Sequence, residues 1–265
     1  MLLAMDVGNT QTVIGLYADT PAKPGRQPGD DLLHHWRLST NTERTSDELA
    51  LLVFQLLDHH GYDADRCLNG IAVSSGVPRV TAALRSMGED WFRISPMVIE
   101  PGIRTGMPIL YDNPKEVGAD RIADAVAAFD LFGGPTIVVD FGTATTIEAI
   151  SEKGEYLGGA IVPGIEISLD ALFNRAAALR RVELVEPRNV IGKNTIEAIQ
   201  SGAVYGFAAQ VDGLCTRFEE ELGAACSIVA TGGLAELISP LSTKISCDEP
   251  WLTLHGLRLI YERNQ

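Results

Sequence analysis

The chain has 265 residues, 46% of them apolar, and a formal net charge of -14 from 35 Asp and Glu against 21 Lys and Arg. That size and apolar content suffice for one or two domains with a sizeable core, and the acidic balance argues against nucleic acid or an anionic membrane as partner. The longest apolar stretch, residues 49–57, contains Gln55 and falls far short of the roughly 18 residues of a membrane span; no signal-like segment precedes Asp6, so a cytoplasmic protein is expected.

Residues 2–7, 13–17 and 32–38 read as an opening three-stranded meander, with Pro21, Pro24, Gly25, Pro28 and Gly29 marking a surface loop before its third strand. Thr45-Ser46-Asp47-Glu48 has the pattern of a capping box and predicts a helix through about Leu57, ended by Gly61. Residues 71–74 return as a buried strand. Asn113-Pro114-Lys115-Glu116 reads as a second capping box opening a helix that continues through the Ala-rich segment 118–132 to Gly133-Gly134. A second meander follows over 136–141, 145–150 and 156–161, its last turn at Lys153-Gly154. Helices are then expected over 167–179 and 195–222, the latter capped by Asn194.

The joints of the two meanders carry the chemistry. Asp6-Val7-Gly8-Asn9-Thr10-Gln11-Thr12-Val13 and Asp140-Phe141-Gly142-Thr143-Ala144-Thr145-Thr146-Ile147 each run from a strand-end acid through a glycine turn into another apolar strand. Such a turn suits polyphosphate: glycine lets the backbone approach an anion, N–H groups and Thr hydroxyls donate to phosphate oxygens, and Asp6 can hold Mg²⁺ or its waters. Two such hairpins facing one another would clamp a nucleotide. A third glycine turn, Thr231-Gly232-Gly233-Leu234, stands between a strand and a helix, where adenosine could lie. Single glycine turns close many hairpins that bind nothing; the repetition is what speaks for a site. Asp140 ends a Val-rich strand, where a carboxylate needs a cation or hydrogen bonds to offset burial. An Asp-Arg step such as Asp120-Arg121 commonly marks a solvated helix face, and Thr195 can simply begin a helix. Arg175, Arg180, Arg181 and Arg188 read as a helix surface paired with Glu183 and Glu186. Cys67, Cys215, Cys226 and Cys247 form no C-x-x-C pair and read as buried free thiols, while the pairs His34-His35 and His59-His60 offer no converging metal ligands.

A three-stranded meander followed by alternating helices and strands, present twice, describes an α/β chain of two duplicated ribonuclease H-like lobes, the actin-like ATPase fold of the acetate and sugar kinase, heat-shock chaperone and actin superfamily. The expected lobes are residues 1–117 and 118–265, with an interlobe helix near 114–132 and the nucleotide in the cleft between them. Within that superfamily the chain resembles the type III pantothenate kinases nearly end to end. The resemblance rests on Asp6-Val7-Gly8-Asn9-Thr10, Arg44-Thr45-Ser46-Asp47-Glu48-Leu49, Tyr111-Asp112-Asn113-Pro114 leading into Gly118-Ala119-Asp120-Arg121, Asp140-Phe141-Gly142-Thr143-Ala144, Pro163-Gly164-Ile165, Gly192-Lys193-Asn194-Thr195 and Thr231-Gly232-Gly233-Leu234, in family order.

The resemblance implies ATP- and Mg²⁺-dependent phosphorylation of pantothenate to 4'-phosphopantothenate, the opening step of coenzyme A biosynthesis. It assigns Asp6 through Val13 and Thr143 to ATP, Asp140 to a monovalent cation (potassium or ammonium), and Tyr111, Gly118, Ala119, Asp120, Arg121 and Thr195 to pantothenate. Asp120 would be the proton acceptor, and Thr195 would come from the other subunit of a homodimer. Asp124 stands where Asn is expected and Glu148 where a shorter acid is common; a carboxylate facing the cleft beside Asp120 would raise the proton affinity of the pair. The rival readings are a non-catalytic ATP-binding regulator of the same fold and another small-molecule kinase of the superfamily. The Gly118-Ala119-Asp120-Arg121 segment speaks against the first, and the short chain without a cysteine-histidine cluster against a sugar kinase.

Overall fold

The computed structural model describes residues 1–19, 29–176 and 179–265. Pro21, Pro24, Gly25 and Pro28 of the expected loop, and residues 177–178 of the helix expected over 167–179, lie outside the described residues.

Two five-stranded sheets repeat one plan. The first contains β1 (Leu2–Val7), β2 (Gln11–Tyr17), β3 (Leu32–Ser39), β4 (Gly70–Ser75) and β5 (Met97–Val98), in the order β3-β2-β1-β4-β5. The second contains β6 (Thr136–Phe141), β7 (Ala144–Ile150), β8 (Tyr156–Pro163), β9 (Ser227–Thr231) and β10 (Cys247–Asp248), in the order β8-β7-β6-β9-β10. In each, an antiparallel meander is extended by two parallel strands. The helices are α1 (Ser46–His59), α2 (Ala64–Cys67), α3 (Pro78–Met87), α4 (Ala119–Phe132), α5 (Ile165–Arg175), α6 (Thr195–Leu222), α7 (Ala235–Ile238) and α8 (Leu252–Glu262). This is the duplicated ribonuclease H-like architecture that the sequence predicts.

Strand alternation explains how each central strand supports both packing and chemistry. Leu3, Met5 and Val7 of β1 enter a core with Leu49, Val53 and Leu57 of α1 and Val80 and Leu84 of α3. Ile137, Val139 and Phe141 of β6 do the same with Val204, Ala208 and Val211 of α6. Asp6 and Asp140 stand at even-numbered positions, so both carboxylates fall on the sheet face opposite those cores.

Local signals hold where they are strongest. The Thr45 hydroxyl accepts the Glu48 N–H at 3.3 Å and Glu48 accepts the Thr45 N–H at 2.8 Å, the reciprocal box that starts α1. Gly61, at φ 78°, stands just beyond its end. Asn113, by contrast, does not cap α4. It caps a single 3₁₀ turn, Pro114–Glu116, after which Val117 is extended and α4 begins afresh at Ala119. Helix α5 ends at Arg175, short of its predicted limit. Helix α8 is not among the elements expected from the sequence; a Cβ at its Gly256 would strike the backbone of Ala123, so glycine is what lets α8 and α4 touch. Arg258 of α8, 3% exposed, pairs with buried Asp31 at 3.0 Å and with Glu262 at 2.9 Å.

By packing, the chain divides into Met1–Leu131 with Trp251–Gln265, and Phe132–Pro250. Residues 118–131 and the C-terminal helix, assigned to the second lobe by the expected 117/118 boundary, therefore pack with the first. The physical cause is the α4–α8 contact at Gly256 and Ala123, together with the hydrogen bond from His255 to Asp130 at 3.2 Å.

Candidate active site

The first turn joins β1 to β2 by four residues between the paired Val7 and Thr12. The Gly8 N–H donates to the Gln11 carbonyl at 3.0 Å, closing the turn. Asn9, Thr10 and Gln11 are exposed at its tip, Asp6 is half-buried, and Thr12 is only 7% exposed. A residue that sequence reasoning missed, Thr40, follows β3 and grips this turn. Its N–H donates to the Thr10 carbonyl at 2.9 Å, its hydroxyl donates to the Gly8 carbonyl at 2.7 Å, and the same oxygen lies 2.9 Å from the Thr12 hydroxyl. The only cue in sequence is its place one residue beyond a strand; the contacts cross 28 to 32 positions.

The second turn joins β6 to β7 by three residues between Phe141 and Thr145, closed by the Gly142 N–H donating to Ala144 at 3.1 Å. Gly142 and Thr143 are exposed. Two further glycines press against it. Gly164, at the start of α5, donates its N–H to the Thr143 carbonyl at 3.1 Å, and a Cβ there would lie 2.6 Å from the Gly142 carbonyl and collide with that of Thr143. Gly232, at φ 93°, abuts the Asp140 carboxylate, and a Cβ would lie 2.7 Å from the Phe141 backbone. The half-buried Asp140, the turn 142–144, the N-terminus of α5 and the Gly232 turn thus converge in one place, as phosphate recognition by backbone dipoles requires.

This is also the observation that tests a cation. Asp140 sits in a cradle of Gly142 and Gly232, close to backbone. Among the described residues no group of three or more His, Cys, Asp or Glu is arranged to hold a metal. A carboxylate in a cradle that a Cβ would fill fits a cation taken by oxygen ligands.

The acceptor segment lies at the start of α4. Asp120 is exposed there, and its Oδ1 accepts the Arg121 N–H at 2.8 Å. A Cβ on Gly118 would collide with that same oxygen, so the glycine makes room for the carboxylate. Gly118 and Ala119 are half-buried, Arg121 is 8% exposed, and Tyr111 is half-buried. Asp124 is 2% exposed, so it does not share the solvent-facing position of Asp120. Glu148 is 1% exposed and accepts the Tyr156 hydroxyl across β7 and β8, which makes it part of the sheet's packing.

Thr195 opens α6, exposed, behind an Asn194 side chain that accepts the Glu197 N–H at 2.9 Å. It lines a groove of about 790 Å³ with Leu169, Leu172, Lys193 and Phe207. Arg188 holds the Glu197 carboxyl below its usual range by direct hydrogen bonding and charge. The arginines therefore pair differently from the expectation: Arg188 with Glu197 and Arg181 with Asp170, while Glu186 accepts from Tyr205 and the Glu183 carbonyl from Gln200. All four cysteines are free thiols, but only Cys215 is buried, its pKa pushed up to about 12 chiefly by burial. No described helix is long and apolar enough to cross a membrane.

Comparison with known proteins gives the family and the fold. A family model described as type III pantothenate kinase matches residues 2–217. A type III pantothenate kinase of Saccharopolyspora erythraea is 56% identical over 269 residues, covering 100% of this chain and 99% of its own; one of Streptomyces griseus is 53% identical over 271 residues, covering 100% and 98%. Among solved structures, an inorganic polyphosphate/ATP-glucomannokinase from Arthrobacter sp. strain KM superposes with a TM-score of 0.52 at 13% identity, covering 100% of this chain and 99% of that one. That likeness shows a shared fold.

Proposed function

The chain belongs to the type III pantothenate kinase family, and from that premise we propose which of its residues carry the reaction. It is an ATP-dependent kinase that phosphorylates pantothenate to 4'-phosphopantothenate in coenzyme A biosynthesis. Phosphoryl transfer asks the protein mainly for alignment, charge neutralisation and a place for the hydroxyl proton. Asp6 through Val13 and Thr143 bind the ATP phosphates. Asp6 would hold the Mg²⁺ that accompanies ATP, directly or through its waters, and the ion would supply charge neutralisation for the transferring group. Asp140 holds a monovalent cation, potassium or ammonium, in its glycine cradle.

Pantothenate lies against Tyr111 and Gly118 through Arg121. Asp120 is the proton acceptor: with Oδ1 engaged by the Arg121 N–H, Oδ2 is the oxygen that receives the substrate hydroxyl proton. Thr195 belongs to the pantothenate site of the partner subunit in a homodimer, and the groove it lines with the exposed Leu172 is the surface the partner covers. The protein acts in the cytoplasm, without nucleic acid or membrane as partner. The observation that carries the reading is the pair of glycine turns, each beginning at a strand-end aspartate and sharing one sheet topology.

A mixing experiment tests it. Asp120→Asn should lower turnover by about 10² or more, and Thr195→Arg should block the pocket. With random subunit exchange about half the dimers are mixed, and a composite site leaves one native site in each, so activity should return to roughly a quarter of wild type. Verified exchange without recovery would exclude the shared site, and near-normal turnover of Asp120→Asn would exclude the base.

A further inference from the structure

We infer that Thr40 is a positioning residue for ATP: its side chain sets the shape of the first phosphate turn without belonging to it. The inference rests on the assignment of residues 6–13 to the nucleotide. Thr40 follows the last residue of β3, where Ser39 pairs with Gln11, and so reaches the turn from outside the hairpin. A hydroxyl has one hydrogen. Thr40 uses it on the Gly8 carbonyl, at 2.7 Å, so the 2.9 Å contact with Thr12 is made by the Thr12 hydroxyl donating to Thr40.

Two consequences follow. The Thr12 hydrogen is spent inside the protein, so within the segment 6–13 Thr12 serves the phosphates by stiffening the turn rather than by donating its hydroxyl to them, and the exposed residues Asn9, Thr10 and Gln11 are the ones at the tip that meet them. The Gly8 carbonyl is also held by Thr40, away from the anion it would repel, while the Gly8 N–H closes the turn on Gln11. A backbone preorganised in this way binds phosphate without first having to reorganise.

The second turn provides an internal control. The residue matching Thr40 there is Gly164: it follows Pro163, the partner of Ala144, and donates to the Thr143 carbonyl just as Thr40 donates to that of Thr10. It has no hydroxyl. Thr145, matching Thr12, is fully buried with no hydrogen-bond partner for its Oγ1. The hydroxyl bridge is therefore a device of the first turn alone, not a requirement of the hairpin.

The test compares Thr40→Val, which removes the hydroxyl at constant shape, with Thr40→Ser, which keeps it, and with Gly8→Val, which distorts the turn itself. Thr40→Ala stands in for Thr40→Val if the latter does not fold. KM is measured for ATP and for pantothenate, and ADP binding is titrated directly by calorimetry. Loss of two hydrogen bonds should raise KM for ATP and weaken ADP binding about tenfold, with KM for pantothenate within about twofold and Thr40→Ser near wild type. If Gly8→Val weakens ADP binding and Thr40→Val does not, the role of Thr40 is refuted while the nucleotide assignment stands. If neither variant weakens it, both fall. An equal rise of both KM values would mark a general loosening and also overturn the inference.

Discussion

The two sheets are built to one plan and hold their turns by opposite means. In the first, a side chain from the neighbouring strand end, Thr40, reaches over and hydrogen-bonds the turn. In the second, the backbone of Gly164 and Gly232 lies so close that no side chain fits. The strand-end aspartate, the closing glycine N–H and the donor to the penultimate turn residue are kept in both; the fastening is not. A hairpin fixed by hydrogen bonds tolerates loss of one partner at modest cost, whereas one fixed by backbone contact has nowhere to put an extra carbon.

That contrast sets the size of the effects. Gly164→Ala places a carbon against two carbonyls and forces α5 away from the turn, so it should cost about 3 kcal/mol of stability and most of the activity. A urea melt and a turnover assay read both. A fully stable, active Gly164→Ala enzyme would break the distinction between the two fastenings.

The two aspartates sharpen it next. If the second turn holds the monovalent cation, Asp140→Asn should remove potassium activation, with a roughly tenfold loss of rate in saturating potassium. Asp6→Asn should leave potassium dependence intact while raising the Mg²⁺-ATP requirement. Rates in potassium, ammonium, sodium and lithium chlorides at matched ionic strength decide this, and equal rates in all four for the wild type would remove the cation from Asp140.

The smallest effect separates the units by pH. All five histidines fall within Met1–Leu131 and Trp251–Gln265; His255, 3% exposed, is held below its ordinary value of 6.5 chiefly by burial, and at the exposed His35 and His60 partial desolvation and neighbouring positive charge act in the same direction. Below about pH 6.5 the unfolded chain takes up protons that these folded groups refuse, so the first unit loses stability as pH falls. In Phe132–Pro250, Glu219 and Glu197 are held below 4.5 by Lys244 and Arg188 respectively, so their contribution persists until pH falls below that value. Amide exchange at pH 7 and pH 5.5 should show loss of protection in the first unit and little in the second, and His255→Gln should reduce that loss.

Much of this was legible in order along the chain. Strand alternation, the Thr45 box, the paired turns and the Ala-rich run before Gly133 are signals within a few residues, and a period or a cap is set by local geometry. Asp6 and Asp140 could be singled out because acids at strand ends need a reason, whereas Asp120, in a step that usually marks a solvated helix face, stood out only through the family resemblance. Gly256 of helix α8 finds its justification only at Ala123, and the boundary expected at 117/118 leaves out a helix that packs with the first unit from the far end of the chain. The single helix drawn from Asn113 was wrong because Val117 returns to an extended conformation between two separately started elements.

The sequence by itself determined the duplication, the family and the positions of both glycine turns, because these reside in residue types and short spacings. Only the tertiary structure decided what holds the turns in shape. Thr40 to Gly8, Gly164 to Thr143 and Gly232 to Asp140 are contacts between residues far apart in the chain, and a hydrogen bond or a missing Cβ acquires its meaning only from the atom it faces.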